Sequence, residues 1–535
     1  MKKALVSIVL FLIAGFAFAQ QSEIMVFTNE RPIGRILDTQ EEIKAKEYIF
    51  PERIYRSHID TIAKAITVQT RGISDIGKFI HNRGKILYYD LISGRVKWSK
   101  SISYRTSNLQ QFGSTIIFTK GARSFSLNIE NGENLWIATN DIYFVDPTVS
   151  IGVGYKRKVS AGFGHTLEGI DLKTGQIIWQ REVNREYGWN SMFPINDTEW
   201  LISASGLHNI DIRNGLGWSY HAITGEKDYF GWPAANVTGI ASGLFTGIFM
   251  NPTGRNLARN VVSNICSDST EIYFASKESI ARINKDGGEV IWVYQLPADL
   301  PSKSVLFADD SLVYMVNYGC AAYNIYPINF GIPFVAAFNK ENGEQIFFSI
   351  INIARNPILH SKIEDDNYLL LVFKDRIMRY SLLDGSQILE KTINNREFGE
   401  LIGFAGRHLY IDADDSYLTN LILSDISKSF IFTNKDKVLI VDEELNIVGS
   451  IDTEQMYRAN RRIDDYLFVT KDNKTFILNT ENKIVAEIDM AIRPTLIGDK
   501  LYSIRENSFL EIDLANLIEQ LESIQNRSQG VIANF

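Results

Sequence analysis

The chain has 535 residues, with 63 Asp and Glu against 55 Lys and Arg and a formal net charge of −8. That balance repels nucleic acid and anionic lipid on average and argues against both as general partners. Cys266 and Cys320 are the only cysteines. They rule out a disulfide framework, although an oxidising compartment permits a single bond between them.

In chain order, residues 1–19 read MKKALVSIVLFLIAGFAFA, with a positive start at Lys2 and Lys3, an apolar run and a small-x-small end at Ala17 and Ala19. This is the pattern of a secretory signal peptide cleaved near Ala19, so the expected location is secreted or periplasmic. No Cys follows the run, which argues against a lipoprotein. No later stretch approaches the eighteen or so uncharged apolar residues of a membrane span. Residues 20–72 match none of the repeats that follow and are expected to include a strand that closes the array.

Residues 84–100 (GKILYYDLISGRVKWSK), 122–138 (ARSFSLNIENGENLWIA), 167–179 (LEGIDLKTGQIIW) and 279–292 (SIARINKDGGEVIW) share one spacing. An Asp or Asn lies four residues before a Gly, and a Trp four after it. The sets are Asp90, Gly94, Trp98; Asn128, Gly132, Trp136; Asp171, Gly175, Trp179; and Asn284, Gly288, Trp292. Weaker copies have Asp211 and Gly215 with Trp218 one position early, Asn339 and Gly343 with Phe347, and Gly385 alone. Two more, near Asn446 and Asn482, keep only strand, turn and strand. Each copy reads as a β-hairpin with a turn glycine. The glycine steps are 38, 43, 40, 73, 55 and 42 residues. Steps near 40, without helical periodicity, are those of propeller blades.

The offsets resemble the pyrroloquinoline quinone (PQQ)-like repeat, over about residues 75–515. The resemblance implies an all-β chain forming a single β-propeller of four-stranded blades over residues 73–515. Eight blades are expected, within a range of seven to ten. It also implies that Trp98, Trp136, Trp179 and Trp292 dock between adjacent blades as structural interlocks, with Gly94, Gly132, Gly175 and Gly288 in the turns. A C-terminal helix and tail are expected over 516–535, where Leu514, Leu517, Ile518 and Leu521 form one stripe after an Asp513 cap. One branch of that family comprises dehydrogenases that hold PQQ and calcium in the central channel. This chain has neither their adjacent cysteines nor a Glu, Asn and Asp set that aligns with the calcium ligands, so no cofactor is expected. PQQ and calcium belong to the enzyme alternative.

Other catalytic patterns are absent. The seven His residues contain no i, i+4 pair and no HExxH, and no nucleophile elbow or Walker loop occurs. The carboxylates of DADDS (412–416) lack the Gly and Glu of a calcium loop and read as a solvated turn. Two insertions are more informative. Residues 229–265 include Trp232 and carry only Arg255 and Arg259 as charges, while 317–334 holds Tyr323, Tyr326 and Phe330 among Pro and Gly. Such aromatics are candidates for a partner surface. A Cys266–Cys320 bond would set the two insertions side by side. The expected function is non-catalytic binding of proteins or extended peptides, by a monomer or a partner-dependent complex, in the manner of the family's outer-membrane assembly scaffolds. The alternatives are a quinone- and calcium-dependent dehydrogenase and a module for carbohydrate or envelope polymers.

Overall fold

A turn and a bulge together fix the distance from glycine to tryptophan. In the copy at 166–182, strands Thr166–Asp171 and Ile177–Glu182 pair antiparallel. The Asp171 carboxylate accepts the N–H groups of Lys173 (2.7 Å) and Thr174 (3.2 Å), and the Gly175 N–H donates to the Asp171 carbonyl (2.7 Å). Gly175 has φ +73°, which an L side chain rarely adopts. Beyond the turn the register slips by one residue, between Gly169↔Trp179 and Ile170↔Ile177. Ile177 and Ile178 therefore stay exposed while Trp179 turns inward. The same slip precedes Trp98, Trp292 and Phe347.

The computed structural model describes residues 27–73, 80–105, 107–120, 123–146, 148–156, 165–185, 191–222, 261–323, 326–353, 356–364, 366–405, 409–413, 417–420 and 427–522. The expected signal peptide, Trp232 with most of its insertion, residues 414–416 of the acidic turn and the tail after 522 lie outside the described residues.

Each inward Trp rests on the turn of the next sheet. A Cβ on Gly215 would stand 2.7 Å from the Trp179 ring, and the Trp179 Nε1–H donates to the Ile212 carbonyl at 2.7 Å. Trp98 sits likewise on Gly132 and bonds Ile129 O (2.7 Å). Trp136 sits on Gly175 and bonds Leu172 O (2.7 Å), and Trp292 sits on Gly343 and bonds Lys340 O (2.9 Å). The accepting carbonyl always belongs to the residue after the turn Asp or Asn. Trp218, one position early in sequence, still reaches Gly288 and Lys285 O (3.1 Å). Its hairpin pairs without a register slip, so one residue fewer brings the ring to the same place. Phe347 covers Gly385, with no N–H to donate. Gly94 shares the turn conformation but carries no Trp; the nearest atom to its would-be Cβ is the Tyr89 hydroxyl, at 3.7 Å.

Packing divides the chain into two compact units. The first comprises residues 1–121, 126–135 and 460–535. In it, Arg53–Asp60, Ala65–Ile73, Ile80–Asp90 and Arg95–Ser103 form one four-stranded antiparallel sheet ending in the Trp98 strand. The hairpin Phe27–Ile36 and Glu42–Ile49 is paired on both sides by strands from the far end of the chain. Gly34–Ile36 lies beside Ala486–Ile488, and Lys46–Ile49 beside Ser508–Glu511. The N-terminal segment thus supplies the strand that covers the edge of the last hairpin, and an open edge is avoided. Residues 514–522 are helical; the Asp513 carboxylate accepts the Asn516 N–H (3.0 Å), and Leu514, Leu517 and Leu521 are buried with Ile33, Ile43 and Leu510.

The second unit comprises 122–125 and 136–459. It contains four-stranded antiparallel sheets spanning residues 140–182, 191–220, 266–295, 304–350, 360–392 and 401–452. No helix among the described residues is long and apolar enough to cross a membrane.

If the interlock holds neighbouring sheets together, Trp136→Phe keeps the ring but strands the Leu172 carbonyl and should cost about 1–2 kcal/mol. Gly215→Ala should cost about 2 kcal/mol or more, since it combines positive-φ strain with displacement of the Trp179 ring. Urea midpoints of the two variants against the parent check both.

Candidate functional site

Within the sheet spanning 304–350, the second strand, Leu312–Asn317, is followed by an excursion before the third, Phe334–Asn339. The excursion is a two-stranded ribbon, Cys320–Tyr323 paired with Tyr326–Asn329. Gly319 and Gly331, both at φ +69°, let the chain leave and return. A Cβ on Gly331 would lie 2.2 Å from the Leu300 carbonyl, so that close approach also requires glycine.

Asn317 pins the base of the ribbon. Its carboxamide oxygen accepts the Ser302 N–H (2.6 Å) and hydroxyl (2.9 Å), while Nδ2 donates to the carbonyls of Leu300 (3.0 Å) and Ile332 (2.7 Å). The Ser302 hydroxyl oxygen in turn accepts the N–H groups of Gly319 (2.8 Å) and Cys320 (3.2 Å). A fully buried carboxamide that satisfies four bonds makes the ribbon a rigid part of the sheet.

The two insertions do meet. Val261, at the end of the first, packs with Ala321, Ile328 and Phe330 of the second. The following Asn264 bridges to the neighbouring strand, donating to Leu306 O (3.0 Å) and accepting the Leu306 N–H (2.7 Å). The possible bond between Cys266 and Cys320 is not what joins them, because both thiols are free. Each packs into a different apolar cluster, Cys266 near Leu306 and Phe334, Cys320 near Val316 and Tyr318. Burial pushes both thiols up from their ordinary value.

Beside the ribbon opens a groove of about 410 Å³. Phe330, Ile332, Pro333 and Ile353 give it an apolar lining, and Asn329, Asn352 and Asn356 add carboxamides. Ile332 is 40% exposed and Phe330 half-buried. Of the expected partner-surface residues, Phe330 lines this groove, Tyr323 and Tyr326 pair their backbones at the ribbon tip, and Trp232 is outside the described residues. Sequence reading singled out the aromatics but missed Asn317 and the two hinge glycines; NYG at 317–319 and GIP at 331–333 were the available signal.

Two fully buried titratable groups elsewhere, Glu168 and His208, take part in the packing of strands. Among the described residues, no group of three or more His, Cys, Asp or Glu stands together to hold a metal ion. Glu168, fully buried, accepts from Gln180 Nε2 (2.6 Å) and from Asn140 Nδ2. His208 is fully buried, its Nδ1 lies 2.9 Å from the Ser219 hydroxyl, and its Nε2 has no partner among the described residues. Burial first, then Arg181 and His221, push its pKa down to about 3.

Residues 68–202 match the family model described as outer membrane protein assembly factor BamB. This stretch contains Trp98, Trp136 and Trp179. No curated protein sequence matches the chain. Among solved structures, BamB from Moraxella catarrhalis is similar at 11% identity, covering 71% of this chain and 96% of its own, with a TM-score of 0.32. A eukaryotic initiation factor is similar at 9% identity, with 69% and 97% covered and a TM-score of 0.34. The β-propeller domain of Myceliophteria thermophila Cps50 (Swd1) is similar at 8% identity, with 64% and 89% covered and a TM-score of 0.24. The described residues are nearly all β, mostly in four-stranded antiparallel sheets, and the PQQ-like match covers residues 68–202.

The buried imidazole gives the stability a defined pH dependence. With the folded-state pKa of His208 near 3 and the ordinary value at 6.5, the unfolded chain binds the extra proton between those limits. Stability from this group is complete above 6.5 and falls as pH drops through the window. Between pH 7 and pH 5 the loss should be about 2 kcal/mol. His208→Gln should remove that increment, read as a smaller drop in Tm over the same range.

Proposed function

We propose that the chain is a non-catalytic β-propeller scaffold, secreted or periplasmic, that holds a protein partner or extended peptide in cell-envelope assembly. The observation that carries the reading is the groove beside the inserted ribbon. It is concave and mostly apolar with a few amides, of the size and make-up of a recognition site. Carboxamides suit an extended peptide because they can both donate to and accept from its backbone. A rigid base, held by Asn317, lets the partner bind without first ordering the ribbon. The match of residues 68–202 to an assembly-factor family points the same way. The expected signal peptide supports the compartment.

A photo-reactive residue at position 332 or 352 should crosslink to a defined partner in intact cells, and one at Lys391 should not. Ile332→Asp should weaken binding of that purified partner by about tenfold or more, as loss of an apolar anchor does, with an unchanged Tm. Calcium with PQQ should leave the Tm of the full chain unchanged. A saturable, calcium-dependent rise would replace this reading with the dehydrogenase one.

A further inference from the structure

Charge is unevenly spread along the chain. Residues 52–120 hold twelve Lys and Arg against four Asp and Glu, a local +8 in a chain whose total is −8. Folding gathers part of this excess. In the first unit, His81, Arg83, Lys85, Lys100 and Lys120 line one groove of about 620 Å³, with Glu52 the acidic residue among its lining. Arg83 and Lys120 are exposed, and among the described residues neither they nor Lys85 enter an ion pair. By contrast, Arg379 in the second unit is matched by Glu364 (2.9 Å). A cleft lined by one sign of charge concentrates field and raises the local concentration of the opposite charge. Lys100 is fixed at the wall, its ammonium donating to Gly132 O (3.2 Å) and Asn134 Oδ1 (2.8 Å) and lying 5.6 Å from the Phe118 ring centroid.

We infer that this groove is a second binding site, for an acidic, extended protein segment. Three observations favour that class. The basic groups line a concavity together with Ser101, Ile102, Ser103, Ser107 and Phe118, which suits a peptide better than a flat lipid surface. Single-stranded nucleic acid needs open aromatic platforms for its bases. Here Phe118 is buried, and Arg71 lies over both Tyr55 (4.5 Å) and Tyr104 (4.7 Å). The anionic balance of the remaining chain also opposes long polyanions that extend beyond the groove.

The test is a fluorescence-anisotropy titration of the full chain with a fluorescein-labelled deca-glutamate peptide at low and physiological salt. Saturable binding that weakens with salt is expected. Arg83→Glu with Lys120→Glu should weaken it by about tenfold or more, while Lys173→Glu with Lys391→Glu, which changes net charge equally in the second unit, should change it less than about twofold. Should the first pair fail to fold, Lys120→Gln alone, at an exposed position, reads the same direction. Ile332→Asp should leave peptide binding unchanged, so failure here and failure of the ribbon groove are separable. No saturable binding, equal loss in both charge-reversed pairs, or tighter Arg83- and Lys120-dependent binding of phosphatidylglycerol vesicles or oligo-dT would overturn the proposal.

Discussion

The structure depends on one contact, an indole laid on a glycine of the next sheet with its N–H tied to a carbonyl in the same turn. It needs three conditions at once. The turn must place a residue without a Cβ under the ring, as Gly175 and Gly215 do. The carbonyl after the turn Asp or Asn must point outward to accept Nε1, and the Asx bonds that hold the turn, such as Asp171 to Lys173 N, fix that direction. Finally, the strand must bring the Trp inward, through a bulge four residues after its own glycine or, as at Trp218, without one three residues after it. A repeated turn motif becomes a way of joining sheets because each satisfies both its own hairpin and its neighbour.

The contact also decides where variation is tolerated. In every hairpin that carries it, the interlock occupies the end of the strands where third and fourth are joined. The connections at the opposite end, between second and third strands and between successive sheets, bear no such contact. Both insertions fall there. The ribbon 320–329 lies between second and third strands, and Val261 ends the connection from the sheet of 191–220 to that of 266–295. The basic groove of the first unit uses the same end of its own sheet, where Ile80–Asp90 begins and Arg95–Ser103 ends. In both units the interlock and the groove thus lie at opposite ends of the strands.

Much of this was legible in the sequence because the interlock repeats a nearly constant spacing. The hairpins, the turn glycines and the helix after Asp513 all follow from short-range patterns. Where the aromatic is lost the reading faded, and the structure shows why folding persists there. Leu389 and Gly449 occupy the paired position, yet the alternation that buries Leu370, Ile431 and Leu439 continues, and Arg379 still reaches the Glu443 carbonyl in the next turn. Other features depend on partners distant in the sequence. Asn317 acts through four bonds to residues 15–17 positions away, and the pairing of 27–49 with strands beyond residue 483 joins the two ends of the chain.

The joining of the ends has its own physical logic. A strand borrowed from the far terminus must be specified in register, since a slip of one residue would turn every side chain to the wrong face. Here buried chemistry sets the register. Tyr48 donates to Glu511 at 2.8 Å and Tyr502 to the same carboxylate at 3.2 Å, with Lys500 as its ion partner. Burial and that carboxylate push the Tyr48 hydroxyl far above its ordinary value, which keeps it protonated as a donor. A displaced register would leave Glu511, now only 9% exposed, buried without these donors, a cost of several kcal/mol. Apolar packing alone would accept several registers; the carboxylate selects one.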